Sequence, residues 1–182
     1  MSTQFDQLLP LILKHEGVSP TNPTGYANDS NDPGGETKWG ISQREWSLLR
    51  VKPQFLGFPP AAKDLTYDEA VAVYRTVYYL PLFDELPPGP ALIAFDANVN
   101  EGLGIKIVQR AIRVHDDGVW GPISEQALRL ALRDERVLVE ELLWQRIAHY
   151  VSISKPSPVN QAFLAKEWMP RLMTCRTEAK AL

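Results

Sequence analysis

The 182-residue chain has one cysteine, Cys175. An internal disulfide framework is excluded, and the composition fits a protein made and kept in a reducing cytoplasm. Long apolar runs are also missing. Leu8–Leu13 is short, contains Pro10 and is followed by Lys14. It reads neither as a secretory signal nor as a bilayer span, so the expectation is no signal peptide and no stable membrane insertion. The three histidines, His15, His115 and His149, share no ligand spacing, so no metal and no cofactor are expected. There is no basic excess: the formal net charge is -3, which argues against nucleic acid as a partner. Internal repeats and low-complexity segments are absent.

What remains is an ordinary globular composition, 45% hydrophobic, long enough for one domain or two small ones. The patterning is mostly helical. Phe5, Leu8, Leu9, Ile12 and Leu13 recur at helical spacing behind Ser2 or Thr3 as cap, with Pro10 expected to kink the helix or delay its start. Ser42 with Glu45 and Thr66 with Glu69 read as capping boxes. Pro87-Pro88-Gly89-Pro90 is a rigid break and places a boundary between residues 1–88 and 89–182. Beyond it, Ala91–Asn100 and Leu103–Val114 read as helices split at Gly102. Pro122 opens another helix. Asp134 caps a long one bearing Val137, Leu138, Leu142, Leu143, Ile147 and Tyr150. A last helix carries Phe163, Leu164, Trp168 and Leu172. Strands have support only within the polar stretch, so the fold class is mainly α with a small hairpin.

That polar stretch, residues 17–38, is where chemistry is expected. Glu16 closes an apolar helix, and Asp, Asn, Gly and Thr follow at once. The layout suits glycoside hydrolysis. An acid must be held rigidly and partly desolvated to give its proton to the leaving oxygen. A second polar group must act from the other face of the sugar, and Asp29, Asp32, Glu36 and Thr37 are the candidates. Tyr26 and Trp39 offer faces for sugar rings, although a tryptophan such as Trp39 is more often core than platform.

The stretch also resembles the signature of glycoside hydrolase family 108. That signature reads approximately Glu-Gly-Gly-Tyr, a short Asn/Asp segment, then Asp-x-Gly-Gly-x-Thr-x-x-Gly-Ile. Here Glu16-Gly17 is similar to its start, Gly25-Tyr26 to its Gly-Tyr, and Asn28-Asp29 follows. Asp32-Pro33-Gly34-Gly35-Glu36-Thr37-Lys38-Trp39-Gly40-Ile41 then runs through the rest. Val18–Thr24 is an insertion relative to the pattern. The resemblance implies a lysozyme-like α+β fold with the hairpin beside the acid, and cleavage between N-acetylmuramic acid and N-acetylglucosamine. It puts the catalytic glutamate at Glu16. By analogy with phage-type lysozymes, Asp32 and Thr37 position the attacking water.

The second half resembles the predicted peptidoglycan domain that follows this segment in the family. The resemblance rests on Phe95–Gly102, Val108-Gln109-Arg110-Ala111 and Asp117-Gly118-Val119-Trp120-Gly121-Pro122. It implies a catalytic segment in residues 1–88 and a wall-binding part in 89–182. Tyr26, Asn28, Trp39, Asn98 and Asn100 are the expected substrate contacts. Asn98 and Asn100 either line the cleft opposite Glu16 or cap and pin helices. The partner is expected to be peptidoglycan glycan strands, met by a monomer. Three readings follow: a hydrolase, a lytic transglycosylase in which the sugar's own hydroxyl attacks, or a non-catalytic wall-binding module. The biological setting expected is a phage or prophage endolysin that reaches the wall through a holin pore, or a toxin delivered to rival cells.

Overall fold

The computed structural model describes residues 3–29, 34–155 and 157–182. Contacts divide the chain into two compact units, Met1–Val77 and Tyr78–Leu182. The division precedes the proline run. Tyr79 and Phe83 pack on Phe95, with ring centroids 5.2 and 5.9 Å apart, which ties the residues before Pro87 to the second unit.

In the first unit α1 spans Gln4–His15. Thr3 caps it: its hydroxyl accepts from the Asp6 N–H, and the Asp6 carboxylate accepts from the Thr3 N–H at 2.9 Å. Phe5, Leu8, Leu9, Ile12 and Leu13 are all buried, as the spacing predicts. Each contributes about 1.5–3 kcal/mol of burial. Pro10 does not delay the start. It lies inside α1 on the exposed side, where water can satisfy the Asp6 carbonyl that it leaves unbonded.

Two short strands, β1 (Thr37–Lys38) and β2 (Ile41–Ser42), pair antiparallel with Thr37 opposite Ser42 and Lys38 opposite Ile41. Ser42 then caps α2 (Gln43–Leu49), accepting from the Glu45 N–H. The core beneath is aromatic. Trp46 is fully buried between Phe55 and Phe58, and its indole N–H donates to the Pro59 carbonyl at 2.8 Å. Thr66 and Glu69 form the expected capping box on α3 (Tyr67–Val73). That helix widens into a π-helical turn over Tyr74–Tyr78.

The second unit is helical. At its centre is α4 (Pro88–Glu101), buried from Gly89 to Ala97 and in contact with α5 (Gly104–Ala111), α7 (Glu135–Ser154) and α9 (Met169–Ala179). Gly102 ends α4 in the left-handed region, at φ 66°, as its place between two apolar helices suggests. Pro122 and Asp134 open α6 (Pro122–Ala131) and α7 as expected. The long apolar pattern of α7 needs one correction. Val137 is 54% exposed, and the buried face holds Arg146 instead. A charge tolerates that place because Asp96 and Glu101 meet it there. The final segment is α8 (Pro158–Phe163), a π-helical turn over Leu164–Trp168, and α9. The expectation of a mainly α fold with one small hairpin is met.

Candidate active site

Glu16 is the residue at which α1 stops, and backbone chemistry fixes it there. Its N–H donates to the Ile12 and Leu13 carbonyls. Gly17 follows at φ +86°, the Gly17 N–H returns to the Lys14 carbonyl, and the Val18 N–H returns to Leu13. This is a Schellman closure, with glycine where a side chain would be strained. It leaves Glu16 half-buried on the last turn of a helix whose other face is core.

The chain then makes a local excursion and comes back. Ser19 and Asn22 exchange backbone hydrogen bonds, and the Asn22 side chain bonds both backbone groups of Tyr26 at 3.1 Å. The insertion Val18–Thr24 is thus folded on itself. It returns at Gly25, where an added Cβ would lie 3.1 Å from the Glu16 carbonyl oxygen. Ala27 next pairs through its backbone with Thr37, placing a third extended segment beside the hairpin.

The hairpin tip is Trp39-Gly40. Both residues have positive φ, 56° and 76°, the signature of a two-residue type I′ turn. Trp39 carries the cost, since a bulky side chain is rarely found there. Three bonds hold it. Its N–H donates to the Thr24 carbonyl at 2.8 Å, its indole N–H to the Leu65 carbonyl at 3.1 Å, and its carbonyl accepts from the Tyr74 hydroxyl at 2.9 Å. Tyr67 meets the indole edge-on at 5.4 Å. Gly40 then lies directly on the acid: a Cβ added there would sit 2.6 and 2.8 Å from Glu16 Cβ and Cγ.

The other expected site residues divide into groups. Tyr26 and Asn28 converge on Glu36, their phenol and amide donating to Oε1 at 3.2 and 3.4 Å. Lys63 pairs with the other carboxylate oxygen at 3.6 Å. Thr37, the residue after Glu36, opens β1. It is half-buried, and its hydroxyl is 3.5 Å from the Gly35 carbonyl. Asp29 is exposed. Asp32 lies outside the described residues. Asn98 and Asn100 belong to the second unit and take up helix-pinning bonds there. Asn98 donates to the Tyr78 carbonyl at 2.7 Å and accepts from the Gly104 N–H, while Asn100 donates to the Tyr150 hydroxyl. Among the described residues no cluster of His, Cys, Asp and Glu is arranged to hold a metal ion. Sequence reasoning did not single out Tyr74 or Lys63. Neither residue carries a motif.

In the second unit the Asp117–Val119 turn is held from within. The buried Gln109 amide donates to Asp117 Oδ1 and the Val119 carbonyl, and accepts from the Gly118 N–H, all within 3.0 Å.

Comparison with known proteins bears on both units. Residues 103–173 match the family described as a predicted peptidoglycan domain. Among solved structures the chain is similar to SagA of Brucella abortus, with 26% identity and a TM-score of 0.75 over 97% of this chain and 94% of that one. No curated protein matches it. A glycosidase segment followed by a peptidoglycan domain makes this a peptidoglycan hydrolase. The match to the glycosyl hydrolase 108 model runs over residues 9–102, half of the sequence and the whole hairpin region around Glu16, and the chain belongs to that family.

Proposed function

We infer that the chain is an N-acetylmuramidase that hydrolyses the β-1,4 bond between N-acetylmuramic acid and N-acetylglucosamine, with Glu16 as general acid. The observation that carries the reading is the double constraint on Glu16. A Schellman closure fixes its backbone, and the Trp39-Gly40 turn packs on its side chain. A carboxyl held this way can deliver a proton to one oxygen of a bound glycan without reorganising first.

As the glycosidic oxygen takes that proton, the C1–O bond breaks and the sugar gains oxocarbenium character. Water adds at C1. Thr37, on the hairpin that carries the Gly40 contact, and Asp32 orient that water. The catalytic work falls to residues 1–88, with Tyr26, Asn28 and Trp39 toward the glycan. Residues 89–182 hold the wall. Asn98 and Asn100 support that part through the helices they pin, which favours the pinning reading over direct contact. The setting is an endolysin made in the cytoplasm and released through a holin pore as a monomer. In support, the one thiol is buried, so folding requires no oxidation.

The test is digestion of purified peptidoglycan by the native chain and by Glu16→Gln, with the new chain ends identified by mass spectrometry. Reducing-end muramic acid from the native chain and none from the variant is the expected result. Anhydro-muramic ends would make it a lytic transglycosylase. Binding without cleavage by the native chain would leave a wall-binding module. Lysis of cells that co-express a holin, and none without it, tests the release route.

A further inference from the structure

We propose that Tyr74 is a positioning residue for Glu16, acting through the Trp39-Gly40 turn. The proposal rests on Glu16 being the acid.

Tyr74 is 1% exposed, and its hydroxyl donates to the Trp39 carbonyl at 2.9 Å. That carbonyl belongs to the peptide joining Trp39 to Gly40. The Tyr74 bond therefore fixes the plane of the peptide that leads into the residue lying on the acid. The convergence is close. One Cβ built on Gly40 would meet the Tyr74 oxygen at 2.5 Å and Glu16 Cβ and Cγ at 2.6 and 2.8 Å. Phenol, glycine and acid thus share a spot that only a hydrogen atom fills.

Two further observations set this apart from ordinary packing. The turn holds a tryptophan at φ 56°, a conformation that persists only where surrounding bonds over-determine it. Tyr74 is one of those bonds. In addition, α3 ceases to be a regular α-helix at Tyr74, where the π-helical turn begins. Such turns cost stability and recur at functional sites. Removing the hydroxyl takes one of the three restraints from the turn, and the wall against the Glu16 side chain loosens. Small displacements of this kind cost rate rather than affinity.

The experiment compares kcat and KM on soluble glycan oligomers for the native chain, Tyr74→Phe and Gly40→Ala. Val73→Ala serves as a control that thins the same core without touching the turn. Each is assayed well below its unfolding midpoint, with folding checked by circular dichroism. The expected result for Tyr74→Phe is a roughly ten- to hundredfold fall in kcat with KM within about twofold of native. Gly40→Ala should fall at least as far, and Val73→Ala should keep the native kcat despite lower stability. Glycan binding by Glu16→Gln should not change when Tyr74→Phe is added. Native kcat in folded Tyr74→Phe, or equal losses in Tyr74→Phe and Val73→Ala, would overturn the positioning role while leaving Glu16 as the acid. Full activity in Glu16→Gln would overturn the parent reading and this one together. Should Tyr74→Phe fail to fold, Gly40→Ala decides alone: unchanged kcat there overturns the proposal.

Discussion

The Tyr26 phenol donates to Glu36 Oε1 at 3.2 Å. With Asn28 and Lys63 it surrounds the Glu36 carboxylate with donors. A glutamine at 36 keeps an oxygen for Tyr26 and Asn28 and loses only the exposed ion pair, which is worth well under about 1 kcal/mol. Glu36→Gln should therefore keep kcat/KM within about fivefold of native. Glu36→Ala, which removes the acceptor altogether, should lose more. Steady-state rates on peptidoglycan check both. If Glu36→Gln falls as far as Glu16→Gln, Glu36 is the second catalytic carboxylate and its partners are there to orient it.

Arg146 makes the stability of the second unit testable. Its guanidinium is fully buried and donates to Asp96 Oδ2 at 2.7 Å and to Glu101. Arg171 meets Asp96 from another side. Burial alone would weaken Arg146's hold on its proton, but Asp96 and Glu101 outweigh that and raise its pKa. Arg146→Met would leave Asp96 with Arg171 alone and take the buried guanidinium from Glu101, at a cost of about 3–5 kcal/mol. Urea unfolding should show that loss. A loss below about 1 kcal/mol would mean that the carboxylates find water or protons instead.

Much of this was legible in the sequence because it is local. The buried face of α1, the Thr66–Glu69 box, Pro122 at the start of α6 and Gly102 at the end of α4 depend on neighbours three or four residues away. Glu16 and Gly17 were legible as a helix end for the same reason. The hairpin tip was not. A tryptophan with positive φ contradicts local preference, and it is held by Tyr74, 35 residues on. The Asp96–Arg146–Arg171 cluster spans 50 and 75 residues, beyond any periodicity. A lone aspartate within the apolar run Ala91–Ala97 was its one visible sign. Val137 misled because an apolar residue at helical spacing predicts burial only where a neighbouring helix arrives to cover it.

Cys175 should be silent in the folded protein. It is buried in α9. Burial, aided by the Asp96 carboxylate, pushes its thiol well above the usual range. The thiolate is the reactive form, so Ellman's reagent at pH 8 should find almost no thiol in the native chain and one equivalent in urea. Labelling should track the unfolding of the second unit. Fast labelling of the native chain would show instead that α9 opens locally.

Glu140 gives a pH signature that a single substitution isolates. Arg176 Nη2 bonds its carboxylate at 2.7 Å and Lys180 joins from the next turn. Hydrogen bonds from Arg176 and then Lys180 hold its pKa down at about 2, below the usual 4.5. A depressed carboxylate stabilises the fold where it is ionised in both states. That contribution is complete above about pH 4.5 and is lost as pH falls toward 2. The side chain is 45% exposed, so solvent screening limits it to about 1 kcal/mol or less. Glu140→Gln should be less stable than the native chain at pH 7 by that amount. The gap should narrow below pH 4.5, close near pH 2, and shrink in high salt. Unfolding midpoints measured across that range provide the check. A gap that persists unchanged at pH 2 would overturn the assignment of this stability to the ionised Glu140 carboxylate.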